Sequence, residues 1–367
     1  MRHIFLLLFF TCSYSYAQDN TSWDGFRGNP PLTGYTNTQL PKSLKLLWKY
    51  KTNDVIKSSP VIHNGSIFIG SNDGFIYSIS EKGVLNWKFK TATSIESSPL
   101  YLDNSIIASS LDGTVYSINA KTGKMNWEYK TEGQVSGAAN WFVSSDKKAK
   151  RIIVGSYDYY LHCIDAGSGK INWKYETENY INGTPSIAGK HAVFGGCDGF
   201  LYMVDVNTGL LSDKIDIGTY MAASVAIDGN RAYFGNYDGG FYCADLISKK
   251  IIWKFEGTLP FISSPAVSGN KVIVGSQDKS IYCFEKTTGK ILWKFKTLGK
   301  VDSSPVVARN VVVIGSGDGR IYMISLNMGE KIWSYEVGKP ISATPAIVKN
   351  TLVVGSEDGF IYQFGIK

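Results

Sequence analysis

Short apolar runs separated by polar turns recur along most of the chain. The stretch from Trp293 shows the pattern without interruption: WKFKTLGKVDSSPVVARNVVVIGSGDGRIYMISLNMGEKIW. The runs are rich in β-branched and aromatic residues, which marks strands. Ser304-Pro305-Val306-Val307 is the first expected strand, with a proline near its start, where a missing donor is tolerated. Val311 to Gly315 is the second, Arg320 to Ile324 the third and Lys331 to Tyr335 the fourth. Asp318-Gly319 joins the second to the third, a hairpin signal because such turns need positive φ. Thr122-Gly123 and Thr288-Gly289 mark the turn between third and fourth strands in their own copies.

The unit repeats. Tryptophans stand at Trp48, Trp87, Trp127, Trp173, Trp253, Trp293 and Trp333, and Asp213 holds the place of the one that is missing. Aspartates keep the same beat at Asp73, Asp112, Asp158, Asp198, Asp238, Asp278, Asp318 and Asp358, which counts eight copies of about 40 residues. Four antiparallel strands per copy describe a blade, so the fold expected is an all-β, eight-bladed β-propeller. The first tryptophan strand, Leu46 to Lys51, lacks three strands before it, and the last copy, Ser342 to Lys367, lacks a tryptophan strand after it. Pairing the N-terminal strand with the C-terminal three completes the eighth blade and hides two open sheet edges. The tryptophans are expected to dock neighbouring blades.

Ahead of the ring, residues 1–17 read as a signal peptide: a basic start at Met1-Arg2-His3, an apolar run from Ile4 to Phe10, and Ser-Tyr-Ala before a cut after Ala17. The run is too short to span a bilayer, and no other segment could. Residues 18–45 form a lead-in, and 46–367 the propeller. The expected location is periplasmic or cell-surface. Cys12 opens the alternative of a lipid anchor, although Phe10 and Thr11 make a poor lipidation signal.

The formal charge of +7 is scattered, without a basic block or helix, which argues against nucleic acid. Cys163, Cys243 and Cys283 occupy one place in their repeats, where other copies carry Ser78, Ser117, Met203 and Met323. Equivalent places in different blades are too far apart for disulfides, so these read as small buried hydrophobes. No Cys-x-x-Cys pair exists, which removes zinc and redox readings.

The repeat resembles those of the PQQ-type propellers of the quinoprotein dehydrogenase-like superfamily. The likeness rests on Ser-Ser-Pro (Ser58 to Pro60, Ser97 to Pro99, Ser263 to Pro265, Ser303 to Pro305), on Gly-Ser-x-Asp-Gly (Gly70 to Gly74, Gly315 to Gly319, Gly355 to Gly359) and on Thr-Gly-Lys-x-x-Trp (Thr122 to Trp127, Thr288 to Trp293). Trp23 to Asn29 is similar to the lead-in of secreted members. The resemblance implies one of two branches. Dehydrogenases bind pyrroloquinoline quinone with calcium, and carry long insertions, adjacent cysteines and a catalytic aspartate. Non-enzymatic propellers similar to BamB present protein-binding surfaces in the periplasm.

The residues favour the second branch. The periods are nearly uniform, the one insertion is six residues around Ser145 to Lys148, and no cysteines are adjacent. Each aspartate sits in a hairpin turn, where its side chain bonds its own backbone. His63, His162 and His191 read as surface or packing residues, and the Ser-Ser-Pro serines as backbone-bonding groups. No catalytic, cofactor or metal residue is expected. Blades three to five break the pattern most, with Gly137-Ala138-Ala139 then Asn140-Trp141, Gly183-Thr184-Pro185, and Ala223-Ser224-Val225 in place of Ser-Ser-Pro. The candidate partner-binding residues there are Trp141, Tyr159, Tyr160, Tyr180, Asn182, Tyr220 and Tyr237, because aromatic and amide groups over one sector suit a protein or glycan contact. Lys57, Glu96, Asn182 and Asp302 stand where the innermost strands begin, either lining the channel or, as the preferred reading, simply solvated there. The function expected is a monomeric, non-catalytic scaffold for a protein partner in envelope assembly, with a quinone-dependent dehydrogenase or a glycan-binding module as alternatives.

Overall fold

The computed structural model describes residues 21–221 and 223–366; the expected signal segment, with Cys12, lies outside them. Eight sheets surround an axis, and in seven of them the four strands of the repeat run in chain order from the centre outward. The unit beginning at Ser303 forms Val306–Ala308, Val311–Gly315, Arg320–Ser325 and Lys331–Glu336. Pro305 therefore precedes the first strand and does not lie within it. First strands of successive blades touch one another around the axis. The outermost strand Lys45–Lys51 pairs antiparallel with Phe360–Gly365, closing the ring from both ends of the chain.

The tryptophans hold one blade to the next. Six of the seven indoles lie on the turn between the third and fourth strands of the following blade and donate the N–H to a carbonyl there; Trp333 faces the eighth blade, whose third and fourth strands come from opposite ends of the chain and share no turn. Trp87 Nε1 reaches Ala120 O at 2.9 Å, Trp173 reaches Val206 O at 3.0 Å and Trp293 reaches Leu326 O at 2.9 Å. The turn residue beneath the ring must be small. A Cβ at Gly123 would stand 2.8 Å from Trp87, and one at Gly329 would stand 2.7 Å from Trp293; both glycines also have positive φ.

Blade four departs from this. Asp213 pairs with Met203 in the register that Trp173 takes with Cys163. The turn it faces in blade five holds Lys249, at φ 60, where the other docking turns have glycine. The two side chains form an ion pair. A stack of ring on glycine has thus been exchanged for a carboxylate and an ammonium.

The lead-in enters the ring. It forms hydrogen bonds with the inner strands of seven blades in turn: Trp23 with Ile62, the Asp24 carbonyl with Tyr101, Pro30 with Asn140 and Ile187, Pro31 with Ile227, Thr33 with Val267 and Gly34 with Val307. Tyr35–Thr36 then runs parallel to Val306–Ala308, giving blade seven a fifth strand. His63 Nδ1 lies 2.7 Å from the Asp24 carboxylate and its ring stacks on Tyr101. Arg27, at φ 62 and fully buried, donates to Pro265 O at 2.8 Å and Pro305 O at 2.5 Å. Burial pushes its pKa down to about 9. The strap therefore occupies inner strand edges that would otherwise be open. Leu40 and Leu44 then pack into the core shared by blades seven, eight and one.

Trp293→Ala is expected to lower stability by roughly 3–5 kcal/mol in a denaturant titration, since a large buried ring leaves a cavity. Asp213→Trp alone should destabilise, because the new ring meets the Lys249 side chain. Adding Lys249→Gly should recover most of that loss in the same titration.

Candidate binding site at the channel mouth

One face of the ring carries the Asp-Gly turns together with the loops that connect consecutive blades. A repeated backbone bond joins them. The residue before each aspartate donates to the connecting loop of its own blade, as in Asn72 to Val55, Tyr157 to Gln134, Cys197 to Tyr180, Tyr237 to Tyr220 and Gly317 to Lys300, at 2.8–3.1 Å. These residue pairs form a rim around the channel.

Seven of the eight aspartates beneath the rim are committed to structure; Asp238 is exposed, and in its blade Asn236 accepts from Gly240 N at 2.6 Å and donates to the Tyr242 hydroxyl at 3.0 Å. Asp73 Oδ1 accepts from Phe75 N at 3.0 Å, and its Oδ2 accepts from the Tyr77 hydroxyl at 2.6 Å and from Asn53 N at 3.0 Å. Asp318 repeats the arrangement with Arg320, Tyr322 and Leu298. The own-backbone bond was legible in the sequence; the tyrosine four residues on was not. Burial and the bond to the aspartate raise the pKa of the Tyr77, Tyr202 and Tyr322 phenols. Blade three substitutes a histidine. His162, fully buried, places Nε2 3.0 Å from Asp158 Oδ2 and Nδ1 3.0 Å from the Tyr129 hydroxyl. Burial pushes the Asp158 carboxyl up, but the hydrogen bond and charge of His162, with the N–H groups of Glu132 and Tyr160, outweigh it and hold its pKa down to about 2.

The Ser-Ser-Pro serines stitch the inner strands into a belt. Ser58 Oγ donates to Ser97 O at 2.8 Å and Ser303 Oγ to Ala343 O at 2.8 Å, while Thr184 N donates to Ser224 Oγ and Thr344 N to Ser59 Oγ, both at 2.8 Å. Inside the belt is a cavity of about 180 Å³ walled by serine and threonine, with Phe26 of the strap lining it. Lys57, Glu96 and Asn182 line it, the first two as an ion pair at 2.7 Å. Asp302 does not line it; Lys300 at 2.8 Å and Gln277 at 3.0 Å hold it to one side.

Four of the candidate aromatics gather on the rim of blades three to five. Tyr159, Tyr180, Tyr220 and Tyr237 are 40%, 41%, 58% and 44% exposed. Tyr180 lies between Tyr157, 4.8 Å away, and Tyr159, 5.2 Å away. Tyr157 was missed: it stands directly before its aspartate, the position that marked Tyr237. Tyr159 takes φ 74, where most blades have glycine, so the ring is shown to solvent from a backbone that side chains disfavour. Asn182 Nδ2 lies 2.9 Å from Cys197 Sγ, and its Oδ1 is buried without a donor.

The other two candidates lie elsewhere. Trp141 is on the inner strand Asn140–Val143, half-buried against the core between blades two and three, because its place corresponds to Tyr101 and Ile62 beside the strap. Tyr160 begins a third strand under Lys174 and edge-on to His162. Cys163, Cys243 and Cys283 are buried and free, and Cys197 sits half-buried in its rim turn.

The fold defines the chain as an eight-bladed β-propeller, consistent with the expected superfamily. The chain belongs to the family described as beta-alanine-activating enzyme, beta-propeller, whose model matches residues 137–367. No curated protein matches it by sequence. Among solved structures, BamB from Moraxella catarrhalis is similar at 17% identity and a TM-score of 0.75, over 88% of this chain and 100% of that one. The computationally designed Ika8 protein gives 17% and 0.78, over 88% and 100%. The quinohemoprotein alcohol dehydrogenase from Comamonas testosteroni gives 14% and 0.80, over 94% and 80%. At such identities the likeness shows the fold alone, and a designed protein among the matches makes the same point.

Asp158 should contribute stability above the unfolded carboxyl pKa of about 3.9 and lose it as pH falls toward 2. Asp158→Asn is expected to lower stability at pH 7 and to flatten the loss between pH 4 and 2, measured by urea titration at each pH.

Proposed function

We propose that the protein is a non-catalytic, monomeric scaffold of the cell envelope that holds a protein partner on the rim of blades three to five. The observation that carries this reading is the run of exposed tyrosines on adjacent rim positions. Tyrosine offers a large rigid contact with a polar tip, and clustered aromatics dominate the energy of protein interfaces. The fold likeness to BamB agrees with an envelope location, as does the expected signal segment. No helix among the described residues is long and apolar enough to cross a membrane.

The dehydrogenase alternative needs a site for pyrroloquinoline quinone and calcium, and the residues present do not fit it. Near the cavity, Glu96 is paired with Lys57 and Asp302 with Lys300. Among the described residues no group of three His, Cys, Asp or Glu side chains could hold a metal ion. Ser59, Ser224, Ser264 and Ser304, which line the channel, accept from backbone N–H groups of the neighbouring blade. Their hydroxyls are not aligned on a base, for His162 serves Asp158 and His63 serves the strap.

The test compares the protein with a Tyr180→Ala/Tyr220→Ala/Tyr237→Ala variant in affinity capture from an envelope extract. All three side chains are exposed, so circular dichroism and melting should be unchanged while a specific protein partner is lost. Equal capture by both proteins would overturn the reading. So would dye-linked turnover of alcohols or sugars after addition of the quinone and calcium.

A further inference from the structure

We infer that the aromatic rim recognises a cationic, extended peptide segment, with lysine or arginine side chains set over the tyrosines; this rests on the partner reading above. The first observation is the distribution of charge on the mouth face. The loops connecting consecutive blades and the Asp-Gly turns contain four basic residues, Lys57, Lys279, Lys300 and Lys339, all in blades six, seven, eight and one. Blades two to five have none there. Their loops and turns carry Glu132, Glu178 and Asp238, all exposed, and the adjoining strand ends carry Lys130 in blade two but Glu176, Asp216 and Glu256 in blades three to five. A protein of net charge +7 thus gives the mouth of blades three to five an excess of carboxylates, two of them answered from within by Lys214 on Glu178 at 3.4 Å and Lys254 on Glu256 at 2.8 Å. Such local complementarity selects partners by sign and steers their approach.

The second observation is what that sector offers. Tyrosine faces attract ammonium and guanidinium groups, more strongly when partly desolvated. Within the same sector Asn182 Oδ1 is buried at the edge of the channel cavity with no donor. An unmet buried acceptor is costly, and a side chain that brings N–H groups relieves it. The sector therefore presents ring faces, carboxylates and an unfilled acceptor. The ligand that answers all three is a donor-rich cation.

The third observation decides how a peptide is read. The strap already bonds the inner strands of blades one to seven. A partner cannot add a strand there, so recognition falls to its side chains. The tyrosines spread over three adjacent blades, which suits a segment laid along the rim better than a compact small molecule. A lysine or arginine reaching inward from it would approach Asn182.

The experiment uses the full chain and fluorescent peptides in which leucine alternates with lysine, glutamate or serine, followed by anisotropy at low and high salt. The lysine peptide should bind at least about tenfold more tightly than the others and weaken as salt rises. Glu132→Lys/Glu178→Lys changes only exposed side chains, and it should erase the preference for lysine. Tyr180→Ala/Tyr237→Ala should weaken the lysine peptide about tenfold or more. Equal binding of the three peptides, preference for glutamate, no binding of any, or indifference to the charge reversal would each overturn the inference. Saturable binding of an envelope oligosaccharide at the tyrosines, without peptide binding, would overturn it as well. Loss of partner capture by the tyrosine variant of the preceding section, in a protein that ignores the lysine peptide, would leave the scaffold reading standing while this one falls.

Discussion

An indole laid on a glycine of the next blade is the contact through which eight separate sheets become one body. No single blade could bury both of its faces alone, and each inter-blade core, such as that of Phe241, Trp253 and Phe284, draws residues from two neighbours. The turn beneath the indole must therefore lack a side chain, and its backbone must reach positive φ. The one blade without the tryptophan faces the one docking turn without the glycine. Asp213 and Lys249 replace both, so the constraint belongs to the pair and not to either position alone.

Closure has a second layer in the strap. Its bonds run from blade one to blade seven, and a short strand fastens it to the last of these. Burying Arg27 without a carboxylate is expensive, and two proline carbonyls offset that cost only in part, which agrees with its lowered pKa. The consequence for function is geometric. With the inner strand edges engaged by the strap and the serine belt bonded to itself, the mouth face is one surface left open to another molecule. There the blades cease to be equivalent. Exposed tyrosines collect over blades three to five and the lysines of the loops and turns over blades six to one, while the scaffold below stays regular.

Much of the fold could be read from residue identity because its determinants are local and repeated. Proline before a strand, Asp-Gly in a turn and tryptophan at a fixed interval each act within a few residues, and eight copies make the pattern plain. Asp73 and its equivalents were rightly read as turn residues for the same reason. Tyr159, Tyr180, Tyr220 and Tyr237 also stood out, because a break in a repeat is visible without coordinates.

What lay beyond the sequence were relations between distant segments. Trp141 breaks the repeat as clearly as Tyr180 does, yet it packs between blades because its strand position aims it there. Tyr157 hides beside a conspicuous aspartate, and only the stacking of Tyr180 between it and Tyr159 reveals it as part of the rim. The partnership of Asp213 with Lys249, the path of the strap and the unfilled acceptor on Asn182 each join residues tens to hundreds of positions apart. From its own letters the chain determined a ring of eight four-stranded sheets, since short-range preferences, summed over copies, suffice for that. Tertiary structure alone decided which side chains share a surface and which bonds are already taken, since those depend on how the ring brings remote turns together.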